Sequence, residues 1–309
     1  DHNTASRLSA TCLAFAATLS DRASASVAAP VLAIDWPTRE AERHAKFRRQ
    51  AWPNSLAVDV SMEIAPAQSG IDINLPAMRH NYGRVIKPAK LIAWLAEGCP
   101  VITDFIVSSC VRGDHQVTVI ANDGRKENFD AIVLANGAEM PELLWDGGYQ
   151  GVTLDITAGQ VSYLPVTAHS AQICMGLSYG GYLTPAVDGL HDLGATFDRD
   201  ATMEVTSAGH SHNFDLLPPG LRTLFAGIGP ESLSGRTSRR VSTPDRNPIS
   251  GKLAERVFVL GGLGARGFTF APLLGDQLAA LMLRRAMSFD LPTRQLLDPY
   301  RFRDRASQL

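Results

Sequence analysis

Stretches of helical apolar spacing and stretches of strand-like spacing follow one another along the chain, and glycine, proline and asparagine mark the changes. Between Ala5 and Asp21, Leu8, Cys12, Phe15 and Leu19 recur every three or four residues, which predicts an amphipathic helix. Pro37 opens a second helix, with Thr38 and Glu40 in its first turn, running towards Gln50. Ala57 to Ile64 reads as a strand, Pro66 to Gly70 as a break, and Ala89 to Glu97 as a helix closed by Gly98.

A β-rich section follows. Val101 to Val111 reads as one strand region, Gly113-Asp114 turns the chain, Gln116 to Ala121 returns, and Asn122-Asp123-Gly124 turns it again. Asp130 to Ala135 (DAIVLA) is a short continuous apolar run, as buried parallel strands are, and stops at Asn136-Gly137. Residues 150 to 235 read mostly as strands and turns. Arg256 to Leu260 is a second buried strand, joined by GGLGARGFTFAP (Gly261 to Pro272) to a helical pattern from Leu273 to Leu283. Mixed helix and strand material before 140 and after 240 brackets the β-rich middle, which predicts an α/β domain interrupted by a second one.

The 309 residues, 45% hydrophobic and 19% charged, describe an ordinary globular chain. No run approaches the roughly 18 to 20 apolar residues that span a bilayer. The first 22 residues lack a basic leader and read as a helix, not a signal peptide. Cys12, Cys99, Cys110 and Cys174 have no metal-ligand spacing and read as reduced thiols of a cytoplasmic protein. The net charge of −2 hides an uneven distribution: residues 127–234 hold 2 basic against 13 acidic side chains, residues 235–309 hold 13 against 6. Basic clusters stand at Arg39, Arg43, Lys46, Arg48 and Arg49, at Arg236, Arg239 and Arg240, and at Arg284, Arg285, Arg301, Arg303 and Arg305. They suit a polyanion or a solvated surface.

Chemistry concentrates at turns. Ala135, Asn136 and Gly137 follow a strand end, where ligands approach the backbone in open parallel sheets. Gly261, Gly262, Leu263, Gly264, Ala265, Arg266 and Gly267 place four glycines and an arginine before a helix, which makes a nest for negative charge. Asp245 and Arg246 lie between Pro244 and Pro248, which stiffen the segment; Arg246 suits a carboxylate or phosphate, and a local ion pair is the other reading. Tyr163 and Tyr182 read equally as core aromatics or as ligand contacts on a pocket floor. His210 and His212 lack the further ligands of a metal site.

GGLGARGFTFAPLLGDQLAAL, AGQVSYLP, GGYLTPAVDGLHDLGATFDRD, STPDRNPISG and DPYRFRDR together resemble the D-amino-acid-oxidase-like superfamily of FAD-dependent oxidoreductases. Within it they are most similar to the FAD domain of the MnmC family of bacterial tRNA-modifying enzymes. The resemblance runs over nearly the whole chain, is weakest at 20–80, and is most specific at GYLTPAVDG and GATFDRD.

It implies a glutathione-reductase-type FAD-binding domain at residues 1–55, 83–149 and 240–309. An inserted antiparallel-sheet α+β substrate domain is implied at 56–82 and 150–239. It also implies oxidative removal of the carboxymethyl group from 5-carboxymethylaminomethyl-(2-thio)uridine at the tRNA wobble position, giving the 5-aminomethyl nucleoside. By that resemblance Gly261, Gly262, Leu263, Gly264 and Gly267 face the flavin ring. Ala135, Asn136 and Gly137 pass the adenosine diphosphate, and Val107 contacts adenine. Arg246, Tyr182 and Arg266 hold the substrate carboxylate, and the basic tail and Arg39 to Arg49 track tRNA phosphates. A methyltransferase domain or protein is the implied companion.

The family's opening strand, GxGxxG turn and helix have no counterpart here, so the chain reads as an N-terminally truncated relative with an uncovered sheet edge. Two other readings stay open: a glycine, sarcosine or D-amino-acid type amine oxidase, and a non-catalytic remnant that binds tRNA or a partner.

Overall fold

The structure is a computed structural model that describes residues 3–50, 52–149, 151–199 and 203–303. The chain opens with helix α1 (Thr4–Arg22), strands β1 (Ser26–Ala28) and β2 (Val31–Ile34) and helix α2 (Thr38–Arg48). Strand β3 (Ala57–Val60), helix α3 (Ala65–Ser69), strands β4 (Ala77–His80) and β5 (Val85–Ile86), and helix α4 (Pro88–Leu95) follow. Next come strands β6 (Val107–Arg112), β7 (Val117–Ala121), β8 (Lys126–Phe129) and β9 (Ile132–Leu134), then helix α5 (Met140–Asp146). The middle holds β10 (Asp155–Pro165), β11 (Gly176–Ser178), β12 (Tyr182–Leu183), β13 (Leu190–Gly194), α6 (Ser207–Asp215) and α7 (Pro219–Arg222). Strands β14 (Ser234–Ser242), β15 (Ile249–Ala254) and β16 (Val257–Gly261) lead to α8 (Gly267–Met282) and α9 (Leu291–Leu297).

Several elements differ from the pattern reading for local reasons. The expected strand from Ala57 ends at Val60, and the expected break becomes α3. Pro66 sits in its first turn, where the missing N–H has no helical partner to lose, and Gly70 closes it at φ 82. The strand region from Val101 shrinks to β6, which starts at Val107. The sequence SAGHSHNFD of α6 carries no apolar stripe; its start is set instead by Thr206, whose hydroxyl accepts from the Gly209 amide at 3.0 Å. Helix α8 begins at Gly267, six residues earlier than its apolar pattern, and contains Pro272.

Two compact units divide the chain. The first gathers Ala17–Ala96 and Thr157–Arg239; the second gathers the described residues up to Ala16 with Glu97–Ile156 and Arg240 onward. In the first, an eight-stranded mixed sheet runs β14-β10-β13-β12-β11-β2-β4-β3, with β11 parallel to β2. Its core lies on one face: Leu32, Leu164, Leu177, Leu183 and Leu193 are each at most 1% exposed, and Leu217, Leu221 and Phe225 from the α6–α7 region pack with them. Because strand residues alternate in direction, Tyr163, Asp192, Tyr182 and Ser178 lie on the opposite face.

In the second unit β15-β16-β9 form one sheet and β6-β7-β8 an antiparallel meander. Val117, Leu134, Met140, Leu144, Ile249, Val257 and Val259 make its main core, and Leu8 and Cys12 of α1 pack with Phe270, Leu273 and Leu274 of α8. DAIVLA corrects one expectation. β9 is parallel to β16, but among the described residues it has a strand neighbour on one side only, and Val133 is 38% exposed.

β13 carries a test of this burial pattern. Leu193 is fully buried while Leu190, three residues away, is 38% exposed. Leu193→Ala should lower unfolding free energy by about 2–5 kcal/mol in urea titrations. Leu190→Ala should change it by about 0.5 kcal/mol or less.

Candidate functional site

β9 and β16 run in the same direction with Leu134 opposite Val259, so the turns that follow them, Ala135–Gly137 and Gly261–Gly267, leave the same carboxyl edge. That edge is where open parallel sheets receive ligands. Its glycines do different jobs. A Cβ on Gly261 would fall 2.5 Å from Met140 Cε, so the bare α-carbon lets α5 close against the end of β16. At Gly262 (φ 65) a Cβ would meet Thr243 Cγ2 at 2.9 Å. Gly137 (φ 65) and Gly267 have nothing within 4 Å of that position, and Gly264 (φ 54) meets only Ser242 Cβ at 3.7 Å. These three leave open backbone that a planar group can approach. Leu263 is half-buried and holds the turn: its carbonyl accepts from the Arg266 amide at 3.0 Å, and it bridges to Ser242.

Helix α8 starts from this turn with Arg266 at its N-cap and no side-chain cap. Its first amides therefore keep their capacity for a negative partner, reinforced by the helix dipole. The Arg266 guanidinium lies 4.7 Å over the Phe270 ring and donates to the Arg246 carbonyl at 2.6 Å. Partial burial, then the charge of Arg246, pulls its pKa below the ordinary guanidinium value. No carboxylate among the described residues pairs with Arg246 or Arg266. The pair is an uncompensated concentration of positive charge at an open turn, and a small carboxylate or phosphate answers it. Cys12 lies in the same neighbourhood; burial pushes its thiol up to about 12, with Arg266 opposing, so it stays protonated and serves as packing.

The 240–251 loop is held by its aspartate, and not through an ion pair between the neighbours Asp245 and Arg246. Asp245 is gripped by Arg301, from Nε and Nη2 at 2.9 Å each, and accepts from the Asn247 amide and the Thr243 hydroxyl. This leaves Arg246, at φ 59, turned away on the surface of the loop. Arg301 is therefore a structural cation and not a surface charge of the tail; Arg305 lies outside the described residues.

Val107, Ala135 and Asn136 line a separate cavity of about 780 Å³ in the same unit, with Phe105, Ile106 and Phe129. Its walls are largely apolar and suit a flat ring, while Glu139, Glu142 and Asp146 on one side oppose a phosphate there. In the first unit, Tyr182 is half-buried on the sheet face away from the core, and its ring covers Gly194, where a Cβ would come within 2.7 Å of Cζ. Tyr163 lies on that face too, directly opposite Asp192, whose carboxyl is raised by burial against the pull of Arg236. The tyrosines are thus outside the core, and Asp192 is a polar neighbour that pattern reading passed over; the strict alternation with Leu193 was the signal for it. His210 is engaged with Ser162 at 2.8 Å, and no metal-holding group of three His, Cys, Asp or Glu occurs among the described residues.

A family model described as DAO, FAD dependent oxidoreductase, matches residues 4–281. The chain belongs to the DAO family of FAD-dependent oxidoreductases. It is 31% identical over 289 residues to a Caulobacter sp. (strain K31) protein called tRNA 5-methylaminomethyl-2-thiouridine biosynthesis bifunctional protein MnmC, covering 91% of this chain and 46% of the relative. The protein of the same name from Marinobacter nauticus is 30% identical over 295 residues, covering 90% and 46%. The chain thus spans about half the length of the curated relatives it matches.

Among solved structures it is similar to glycine oxidase from Geobacillus kaustophilus, with TM-score 0.75, 19% identity and coverage of 96% and 83%. Iminodiacetate oxidase from Chelativorans sp. BNC1 gives TM-score 0.72, 19% identity and coverage of 94% and 84%. These confirm the α/β flavoprotein fold. The DAO family's cofactor fits the residues of this chain at the 261–267 turn, on open backbone, uncapped amides and an unpaired cation. The apolar cavity fits only its ring portion.

The Asp245 clamp has a pH signature. Burial works against ionisation, but Arg301, the Asn247 amide and the Thr243 hydroxyl outweigh it and hold the carboxyl at about 2. A depressed carboxyl pKa stabilises the fold above the unfolded value near 4 and loses that contribution as pH falls through about 2. Acid titration of unfolding free energy should therefore lose about 1–2 kcal/mol over that window, after solvent screening. Asp245→Asn should remove this component, measured by urea unfolding at each pH.

Proposed function

We propose that this chain is the oxidoreductase part of a tRNA wobble-uridine-modifying protein. It converts 5-carboxymethylaminomethyl-(2-thio)uridine to 5-aminomethyl-(2-thio)uridine by oxidative loss of the carboxymethyl group. The observation that carries the reading is the pair Arg246 and Arg266, without a carboxylate partner, beside the open turn at Gly264 and Gly267. The proposed substrate brings a carboxylate one carbon from a secondary amine, so anchoring that carboxylate presents the oxidisable carbon to the turn. The names of the relatives support the tRNA substrate.

FAD, when bound, supplies the acceptor for the hydride from the carbon beside the amine. The chain's tasks are placement and charge. Open backbone at Gly264 and Gly267 and the first amides of α8 face the negative side of the ring system, while Gly261, Gly262 and Leu263 hold that backbone in position. Val107, Ala135 and Asn136 take the adenosine end in that cavity, with Gly137 at the turn beside it. Tyr182, expected at the substrate carboxylate, belongs to the other compact unit. Cofactor binding is assigned to 1–55, 83–149 and 240–309 and substrate binding to 56–82 and 150–239. A reaction on tRNA places the protein in the cytoplasm, and a methyltransferase acting on the product amine, in the same polypeptide or beside it, is the proposed partner. Among the described residues no helix is long and apolar enough to cross a membrane.

Incubating FAD-loaded protein with tRNA that carries the carboxymethylaminomethyl nucleoside, followed by nucleoside mass analysis, tests this. Loss of that nucleoside and gain of the aminomethyl form is expected. Turnover of glycine or sarcosine with untouched tRNA would instead favour a free amino-acid oxidase, and absence of flavin binding would leave a non-catalytic binding role. Arg246→Ala should lower kcat/KM about 10- to 100-fold, the loss of one charge-assisted contact, with flavin content near wild type. Equal loss of both would put Arg246 in the flavin site.

A further inference from the structure

α2 carries two sets of cations that do different work. Its inward set is pinned: the buried His44 ring meets Asp35 at 2.7 Å, and Arg48 reaches Asp35 at 2.9 Å and Asp59 at 2.5 Å. Glu40 is taken by Arg43 at 3.1 Å. These contacts consume the carboxylates around the helix except Glu42. The outward set, Arg39, Lys46 and Arg49, is exposed and has no ion pair among the described residues. With Arg43 these groups stand at successive intervals of three or four residues along one side, over about 15 Å. Glu42 stands in the same stripe, three residues after Arg39 and four before Lys46, and Lys46 and Arg49 lie at the favourable C-terminal end of the helix, so helix stability accounts for part of the spacing and leaves a net positive side. At the end of the row Phe47 stacks with the half-exposed Trp52, centroids 5.6 Å apart and planes 18° apart, and His80 meets Phe47 edge-on.

A rigidly anchored row of cations, three of them without an ion pair among the described residues, ending in a supported aromatic pair fits a strand of phosphates with a base that can leave its stack. An acidic protein surface would use the row but not the aromatic pair. We infer that the outward side of α2, from Arg39 to Arg49 with Trp52 at its end, is a docking surface for a single-stranded part of the tRNA. The inference rests on the tRNA reading above and adds the place where the RNA is held.

The test uses fluorescently labelled tRNA and the whole chain loaded with FAD. The triple variant Arg39→Glu, Lys46→Glu, Arg49→Glu is compared with Arg112→Glu, Lys126→Glu, Arg294→Glu. The second makes the same charge change at exposed positions of the other unit. The first should weaken binding at least tenfold. It should also flatten the slope of log affinity against log salt by about 2, at roughly 0.7 per phosphate contact. Trp52→Ala should weaken binding with no change in that slope. Flavin absorbance and thermal unfolding of all variants should match wild type. The control variant should bind within about twofold of wild type by anisotropy.

Wild-type affinity and slope in a folded first variant would overturn the surface while leaving the tRNA reaction intact. Equal weakening by both triple variants would overturn it as bulk charge. Wild-type protein that binds anionic vesicles and no tRNA would overturn both this surface and the tRNA reading.

Discussion

The absence of a side chain at Gly261 is the constraint on which the rest of the candidate site depends. With Met140 Cε only 2.5 Å from where a Cβ would be, the end of β16 and the start of α5 close against each other through bare backbone. That closure sets the turn after β9 beside the turn after β16. It also sets the direction in which α8 departs, because Gly262 is packed against Thr243 and has left-handed backbone. Once those two glycines are spent on packing, Gly264 and Gly267 are free to leave backbone uncovered. An open anion-receptive turn is a consequence of a closed one just before it.

Charge follows the same division between structure and chemistry. Asp245 has Arg246 beside it in sequence, yet its hydrogen bonds go to Arg301, fifty-six positions away. Had the neighbours paired, Arg246 would be neutralised and the loop would lose its link to the C-terminal segment. Instead the long-range pair ties the loop down, and the residue left over is an arginine with no counter-charge. Arg266 is left over in a similar way, over Phe270 and against a carbonyl. Two positive groups kept close without an acid is an unfavourable arrangement unless a negative ligand completes it.

Much of this was legible in the pattern of residues. The amphipathic α1, the strand–turn–helix from Val257 into α8, and the strand character of DAIVLA follow from periodicity and glycine position, while its pairing with the later strand does not. What stayed hidden depended on partners distant in sequence. α6 has no apolar stripe because its buried face is polar, with His210 and Asn213 bonded to Ser162 on a strand some fifty residues earlier. DAIVLA reads as buried because it is apolar throughout, yet a strand's burial is decided by its neighbours, and β9 has one. Tyr182 and Asp192 became interpretable only when register put them on the face away from Leu183 and Leu193.

Glycine-rich motifs are usually taken as a unit, and here that hides their content. Of the four glycines between 261 and 267, two are filled from behind by Met140 and Thr243, and a substitution there breaks the fold before it reaches any ligand. The other two face open space or ordinary contact distance, and a substitution there meets the ligand first. A strand-to-helix turn with no ligand needs only the first kind, since any small polar residue would cap α8 and satisfy its amides. The chain has no cap at that position and an arginine at the N-cap instead. Uncovered glycines, uncapped amides and an unpaired guanidinium together are poor design for a structural turn and sound design for one completed by an anionic ring system.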